Sequence, residues 1–271
     1  MGRSLVTLLV CLALFANEAT AAAGPHGTVD LISEQASIQP GRVFRVGLHF
    51  QLEKGWHIYW LNPGDSGEPP KVQWTLPTGF RAGSLEWPTP RRIADHTLID
   101  YGYEDEVLLP VGIRPPASLA PGRDADLRLI LTWLVCRETC IPARAALALS
   151  LPVRKDTRRS PSANQMLFLK ANAELPKPTP KAWKLTGTLK GREFILEIDT
   201  GRREAAATFF PVEPDEIENA AAQTALPFPR GIQLKLQRSD QLLKPIATLE
   251  GVLVFDSTHS YAVKLPIRAS K

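Results

Sequence analysis

The chain has 271 residues, a length that suits two domains of roughly 100–150 residues each. Its 32 lysines and arginines stand against 28 aspartates and glutamates, which gives a net charge of +4. Because the basic residues are dispersed among acidic ones, the composition argues against a nucleic-acid-binding protein. Proline is frequent, with 24 residues, and long apolar patterns with the period of a helix are scarce, which argues against a mainly helical fold.

The N-terminus has the pattern of a secretory signal peptide. Arg3 precedes an uncharged apolar run over residues 5–15, and small residues follow up to Ala23. The run is shorter than the roughly 20 residues that a membrane span needs, and no later apolar stretch is longer. We therefore predict a signal peptide at residues 1–23, which removes Cys11, and an exported mature chain without a transmembrane segment. Export implies an oxidising compartment in which disulfides persist.

Short runs of alternating apolar and polar residues, separated by turn residues, recur along the rest of the chain. They predict strands at 43–52, 56–61, 127–135, 143–151, 194–198, 232–236 and 248–255. Short strands with regular turn signals predict a mainly β protein built from two β-sandwich domains, at 24–155 and 181–271. The connection at 156–180 combines a short helix near 162–173 with a proline-rich linker. A further short helix is possible at 215–224.

The segment 55–67 is dense in aromatic residues. Alternation places Trp56, Ile58 and Trp60 on one strand face and His57, Tyr59 and Leu61 on the other. It is either a core strand followed by a glycine-proline turn or a face that flanks the cysteines, with His57 and Tyr59 as a possible docking surface. The polar stretch 91–106 is long for a connection, which predicts a lid or a mobile surface loop.

Two cysteines, Cys136 and Cys140, are the only ones that the mature chain should keep. On one straight strand their Cα atoms would lie roughly 13 Å apart, whereas a disulfide needs about 4.4–6.8 Å. Apolar residues occupy the odd positions on both sides of the pair, so a hairpin would bring Val135 opposite Ile141 and Trp133 opposite Ala143. This register predicts that both sulfurs point to one, less buried face. The intervening residues 137–139 lack the glycine that three-residue turns favour.

Three uses of the pair remain open from the residues alone. As a structural bond it would be weak, since closing a loop of about five residues stabilises a fold by only roughly 2 kcal/mol. An accessible pair can instead undergo thiol–disulfide exchange. A metal site would need further ligands, for which His57 and His96 are candidates without diagnostic spacing. The second domain has no cysteine and one histidine, His259, and reads as a supporting or partner-facing sandwich.

Four motifs in the first domain, in the same order, resemble the N-terminal periplasmic region of DsbD-type reductases and their ScsB-like branch. They are GWHIYWLNPGDSG (55–67), WP (87–88), YGY (101–103) and WLVCRETCIP (133–142). The resemblance implies an immunoglobulin-like domain in the periplasm, without a cofactor or metal, whose redox pair is Cys136 and Cys140. It also implies a place in electron transfer and cytochrome c biogenesis, as a protein-disulfide reductase component if the chain is an enzyme.

By this resemblance Cys140 would form the mixed disulfide with the client and Cys136 would resolve it. A cap loop would cover the pair, formed by Leu98, Ile99, Asp100, Tyr101, Gly102 and Tyr103, with Tyr101 as the shielding aromatic. Relatives continue into a membrane domain and a thioredoxin-like domain. The expected partners are therefore a membrane-embedded thiol reductase on a separate chain and thioredoxin-like periplasmic proteins. The alternative is a non-catalytic copper-handling or protein-docking sandwich with a structural disulfide.

Overall fold

The computed structural model describes residues 22–155, 161–256 and 259–269. Residues 1–21 of the expected signal peptide lie outside this part of the chain. The described residues are mainly β, as predicted, and their strands fall into an N-terminal region (22–152) and a C-terminal region (177–269). No helix among them is long and apolar enough to cross a bilayer.

The N-terminal region is a sandwich of two mostly antiparallel sheets. Its strands are β1 (Ala22–Gly24), β2 (Gly27–Ser33), β3 (Phe44–Leu52), β4 (His57–Gly64), β5 (Lys71–Thr75), β6 (Arg81–Leu85), β7 (Arg91–Asp95), β8 (Leu98–Glu104), β9 (Glu106–Arg114), β10 (Asp124–Cys136) and β11 (Cys140–Pro152). One sheet has the order β1-β2-β3-β9-β6, and the other has the order β11-β10-β4-β8-β7 with β5 also paired to β10.

The predicted alternation builds the core between these sheets. The odd residues of β10, from Leu127 to Val135, are buried while most of the even residues are not. They pack with apolar residues of β3 and β9, such as Leu48 and Leu109, in one hydrophobic cluster. Each fully buried side chain of this size contributes about 1.5–3 kcal/mol. The second sheet is therefore fixed in register, and the strands that carry the cysteines cannot slip.

The C-terminal region forms one eight-stranded sheet. Its strands are β12 (Lys177–Pro178), β13 (Lys184–Lys190), β14 (Glu193–Asp199), β15 (Thr208–Pro211), β16 (Thr224–Phe228), β17 (Gly231–Gln237), β18 (Thr248–Asp256) and β19 (His259–Ala269). The order is β15-β18-β19-β13-β14-β17-β16, with β12 paired to β19. Part of the predicted linker thus belongs to this sheet, because Lys177 and Pro178 pair in parallel with Tyr261 and Ala262.

The helix predicted near 162–173 is present as α1 (Gln165–Glu174). Phe168 and Ala171 are buried against Ile32 and Leu108, so the helix covers the outer face of the first sheet. The possible second helix at 215–224 is absent. That stretch consists of turns and bends instead, with an isolated bridge between Ile217 and Arg238, and it lies against the N-terminal region.

The two regions share a packed boundary. Phe210 belongs to the hydrophobic cluster of the N-terminal region, where its ring meets those of Trp60 and Tyr101 edge-on at centroid distances of 6.3 and 5.1 Å. Hydrogen bonds also cross the boundary, among them one of 2.6 Å between the hydroxyls of Thr89 and Ser260. The C-terminal region is thus attached directly to strands β4 and β8 of the second sheet.

Candidate functional site

Strands β10 and β11 form the predicted hairpin, and a disulfide joins Cys136 to Cys140 across its end, with their Cα atoms 4.2 Å apart. The register is the predicted one, with Val135 opposite Ile141 and Trp133 opposite Ala143. The turn residues 137–139 make the bend without a left-handed residue, since the non-glycine residues with positive φ in the described chain lie elsewhere. The Arg137 guanidinium lies 5.5 Å from the ring centroid of Trp56, which holds the turn against β4.

The two sulfurs differ in exposure. Cys136 is only 2% exposed, whereas Cys140 and the turn residues before it are exposed. The prediction that both sulfurs share one less buried face is therefore wrong for Cys136. The reason is the strand order: Cys136 pairs on its other side with His57 of β4, while β11 is the edge strand and leaves Cys140 open. Cys140 is therefore the exposed residue of the pair, and Cys136 is the buried one.

A hydrogen-bonded chain of polar groups ends at the exposed sulfur. The Tyr59 hydroxyl lies 3.2 Å from Cys140 Sγ and 3.3 Å from Ser66 Oγ. Ser66 donates its hydroxyl hydrogen to the Asp100 carboxylate, whose two oxygens both lie 3.0 Å away, and its backbone N–H donates to Asp100 Oδ1 at 3.0 Å. Since Ser66 Oγ then offers only lone pairs, Tyr59 is the donor and its hydrogen faces Ser66 Oγ and Cys140 Sγ.

Tyr59 and Asp100 are buried, with 0% and 2% of their surface exposed. A buried carboxylate is costly unless donors satisfy it, and the two donors of Ser66 meet this need for Asp100. A buried hydroxyl aimed at sulfur is a stronger hydrogen-bond donor than the same group in water. The Tyr59 hydroxyl can therefore stabilise a negative charge on Cys140 when the disulfide opens. The Asp100 carboxylate, which is linked to Tyr59 through Ser66, opposes that charge.

His57 is also part of this buried cluster. Its ring meets that of Tyr59 edge-on at 5.2 Å, and its Nε2 lies 3.7 Å from Asp100 Oδ2, too far for a hydrogen bond. Nε2 has no hydrogen-bond partner although it is buried. His57 and Tyr59, which we considered as a possible docking surface, are instead enclosed beside the disulfide, because β4 lies between β8 and the end of β10.

A glycine makes room for the tyrosine. The end of β4 and the bend that follows it, residues 62–67, form a turn, and within this turn Gly67 adopts a φ of +76° close beneath the Tyr59 ring. A Cβ added at Gly67 would lie 2.0 Å from Tyr59 Cζ, far inside van der Waals contact. The NPGDSG sequence thus serves two purposes: Gly67 admits the ring and Ser66 holds its hydroxyl.

The stretch 98–103, which we predicted to be a cap loop, is part of strand β8 and pairs with both β4 and β7. Tyr101 is fully buried, and its hydroxyl donates to Asn219 Oδ1 at 2.8 Å; burial raises the pKa of this phenol. Tyr101 therefore does not shield the sulfurs in this structure, and the aromatic residue that contacts them is Tyr59. Within the predicted cap, Asp100 takes part in the cluster through Ser66.

The remaining residues of the predicted cap have other surroundings. Leu98 is 42% exposed. The backbone N–H of Ile99 donates to the Asp65 carboxylate at 2.7 Å, and the carbonyl of Ile99 accepts from the backbone N–H of Asp65 at 3.1 Å. A side chain at Gly102 would meet the carbonyl of Ile58, so glycine permits close strand pairing there. Tyr103 is buried and donates to the carbonyl of Pro88 at 2.7 Å. These residues build the strand and do not reach the sulfurs.

The sequence reasoning missed Ser66, Asp65 and Asn219. The glycines around Asp65 and Ser66 indicated only a turn, and Asn219 fell in a stretch that we read as a possible helix. In the part of the chain that the structure describes, no three histidine, cysteine, aspartate or glutamate side chains come together as a metal-ligand set. His96, the second candidate ligand, is exposed on the β7–β8 turn.

Comparison with known proteins gives a match to a protein family and a match to a known fold. The family described as "Thiol:disulfide interchange protein DsbD, N-terminal" matches residues 29–152. The crystal structure of the N-terminal periplasmic domain of ScsB from Proteus mirabilis has a TM-score of 0.68 at 19% identity, covering 89% of this chain and 93% of that one. A protein of unknown function from Porphyromonas gingivalis W83, at 16% identity and with 89% and 96% covered, has a TM-score of only 0.26. No curated protein sequence matches this chain.

Proposed function

We propose a function from the premise that residues 29–152 form a domain of the DsbD N-terminal family of thiol:disulfide interchange proteins. The Cys136–Cys140 disulfide is a redox pair in the periplasm. It takes electrons from a membrane-embedded reductase and passes them to thioredoxin-like proteins. The likeness to a periplasmic domain of ScsB supports this location, and the residues of the pair match the family motif.

The observation that carries this proposal is the unequal exposure of the two sulfurs. Exchange requires a thiolate to attack one sulfur in line with the bond while the other sulfur leaves. A thiol partner can reach Cys140 at the open edge of β11, whereas Cys136 is enclosed beside His57. A disulfide that served only as a staple would gain nothing from an exposed sulfur, and its five-residue loop stabilises the fold by only roughly 2 kcal/mol.

The chemistry proceeds in two balanced halves. A thiolate of the reduced donor attacks Cys140 Sγ, the Cys136–Cys140 bond breaks, and Cys136 leaves as a thiolate that takes a proton. The second thiol of the donor then attacks the donor sulfur that is bonded to Cys140, and Cys140 is released. The donor ends as a disulfide, and the pair has gained two electrons and two protons.

In the second half of the exchange, the reduced pair gives its electrons to the client and becomes a disulfide again. The Cys140 thiolate attacks a client disulfide, forms a mixed disulfide and releases one client thiol. Cys136 then attacks Cys140 Sγ, restores the Cys136–Cys140 bond and releases the second client thiol. The Tyr59 hydroxyl, 3.2 Å from Cys140 Sγ, is placed to stabilise the thiolate that begins this half.

The first test is equilibration of the wild-type chain with glutathione buffers of graded potential. We expect the Cys136–Cys140 bond to be reduced within the range of periplasmic exchange proteins and to exchange with an oxidised thioredoxin-like protein. A potential far below about −300 mV, together with no exchange, would identify a structural bond instead.

The second test is trapping. Reduced Cys136→Ser should accumulate a mixed disulfide through Cys140 with an oxidised thioredoxin-like protein, because Cys136 is no longer present to resolve it and restore the intramolecular bond. The matched control, Cys140→Ser, should trap little, since its surviving thiol is buried. Equal trapping by both variants would contradict the assignment of Cys140 as the partner-facing sulfur.

A further inference from the structure

We propose that the C-terminal region sets the position of Tyr59 against Cys140, and that Asn219 is the positioning residue through which it does so. This deepens the proposed function, and rests on it, by giving the C-terminal region a task in the exchange reaction. That region has no cysteine. Its influence would pass through the turn at residues 62–67.

The first contact between the regions is at the start of this turn. Asn62 is 1% exposed, and its Nδ2 donates to the carbonyls of Pro211 at 2.9 Å and Glu213 at 3.1 Å. Its Oδ1 accepts from the backbone N–H of Gly64 at 3.0 Å. One side chain therefore shapes the turn and ties it to the C-terminal region.

The second contact is at Asn219, which is 6% exposed. Its Nδ2 donates to Asp65 Oδ1 at 2.9 Å, and its Oδ1 accepts from the Tyr101 hydroxyl at 2.8 Å. Its backbone carbonyl accepts from Arg92. An amide suits this place because it donates to a carboxylate and accepts from a phenol; a carboxylate here would repel Asp65, and an apolar side chain would leave two buried polar groups unpaired.

The route from Asn219 to the sulfur is short. Asp65, held by Asn219, also accepts from the backbone N–H of Ile99 at 2.7 Å, which fixes the turn on β8. The next residue, Ser66, bonds the Tyr59 hydroxyl at 3.3 Å, and Gly67 lies beneath the Tyr59 ring. Removal of the Asn219 side chain would break the hydrogen bond to Asp65 that ties the turn to the C-terminal region. The turn would then be less firmly held, and with it the residues that keep the Tyr59 hydroxyl 3.2 Å from Cys140 Sγ.

The test measures the reactivity of Cys140 in the reduced Cys136→Ser chain. Iodoacetamide alkylation is followed at pH 7 on the peptide that carries Cys140, so that Cys11 does not interfere. Tyr59→Phe should slow alkylation roughly three- to tenfold, because a thiolate loses a hydrogen bond of the charged kind. Asn219→Ala should slow it by a similar factor, and the double variant should be no slower than Tyr59→Phe alone.

Two further variants keep the test decisive. Ser260→Ala removes another hydrogen bond between the regions, to Thr89, that does not touch the turn, and it should leave the rate unchanged. Asn219→Asp retains an acceptor for Tyr101 but cannot donate to Asp65, so it should behave like Asn219→Ala. If Asn219→Ala does not fold, Asp65→Ala breaks the same bond from the other side.

A wild-type alkylation rate in folded Asn219→Ala and Asn219→Asp would overturn the proposal. Additive slowing in the double variant would overturn it as well, since Asn219 would then act by a route other than Tyr59. Failure of the proposed function is distinguishable: the wild-type chain would not exchange with a thioredoxin-like protein, while the alkylation series would still report on Asn219.

Discussion

The hydroxyl of Tyr59 lies 3.2 Å from the sulfur of Cys140, although 81 positions separate the two residues in the chain. The strand order creates this contact: the disulfide end of β10 pairs with the start of β4, so a residue from the aromatic segment reaches the hairpin. A phenol donor beside an exposed sulfur favours the thiolate over the thiol, and the reactivity of Cys140 should depend on it.

Tyr59→Phe removes this donor and retains the ring above Gly67. We expect the pH profile of Cys140 alkylation in the reduced protein to move to higher pH, since the thiolate loses its hydrogen bond. The measurement is the alkylation rate between pH 5 and 10 in the Cys136→Ser background. Tyr261→Phe is the matched control, because Tyr261 lies in the aromatic cluster of the C-terminal region. An unchanged profile in Tyr59→Phe would show that the hydroxyl does not serve the thiolate.

Asp100→Asn should have the opposite effect. The carboxylate is buried and joined to the site through Ser66, so its negative charge disfavours a thiolate on Cys140. Asparagine can retain the oxygen that accepts both Ser66 donors while losing the charge. We expect alkylation of Cys140 at pH 7 to become faster by roughly two- to fivefold. Asp126→Asn, an exposed change on β10, should have no effect, and slower alkylation in Asp100→Asn would contradict the assigned role of its charge.

The hairpin was predictable from the sequence, whereas the groups around its disulfide were not. Alternation at odd positions determines the register of Val135 with Ile141, since a slip of one residue would expose the whole apolar face. The stretch 91–106 looked like a loop because it is polar and long, and it contains Asp100, whose carboxylate is rarely buried without partners. Its partner, Ser66, comes from a turn that is distant in sequence. Pairings of this kind depend on strand order, which local patterns do not determine.

The same limit explains Asn219. Its stretch has small and acidic residues at spacings compatible with a helix. The structure makes it a series of turns and bends because Asn219 and neighbouring backbone groups bond to the N-terminal region and to the end of β17. Contacts between the two regions therefore override a weak local preference.

Gly67→Ala should disturb the site more than it disturbs the backbone. Alanine at a φ of +76° costs about 1–2 kcal/mol in any context, and here its Cβ would also meet the Tyr59 ring at 2.0 Å. Gly201→Ala is the matched control, with a φ of +87° and no atom within 4 Å of the added Cβ. We expect urea unfolding to show a loss of roughly 2–5 kcal/mol for Gly67→Ala and about 1–2 kcal/mol for Gly201→Ala. Equal losses would mean that the ring does not depend on this glycine.

The last prediction concerns Glu216, in the stretch of the C-terminal region that bonds to residues 62–67. Glu216 is 5% exposed, and its Oε2 has no hydrogen-bond partner. Burial raises the pKa of Glu216 from 4.5 to about 7, and the charges of Glu213 and Glu250 add to the rise. A carboxyl with a raised pKa in the folded protein takes up a proton more readily there than in the unfolded chain.

The sign of the pH dependence follows. Below about pH 4.5 Glu216 is protonated in both states and costs the fold nothing; as pH rises from about 4.5 to about 7 the unfolded chain releases this proton while the folded protein still holds it, so the fold loses stability, by up to about 3 kcal/mol once the pH exceeds about 7. Glu216→Gln should remove this loss, so that its urea midpoint falls less than that of the wild type between pH 5 and 8.5. Glu193→Gln, at an exposed position, should retain the wild-type slope. Parallel wild-type and Glu216→Gln curves would show that Glu216 does not titrate in this range, and the pH dependence of the fold would then have to come from another buried group.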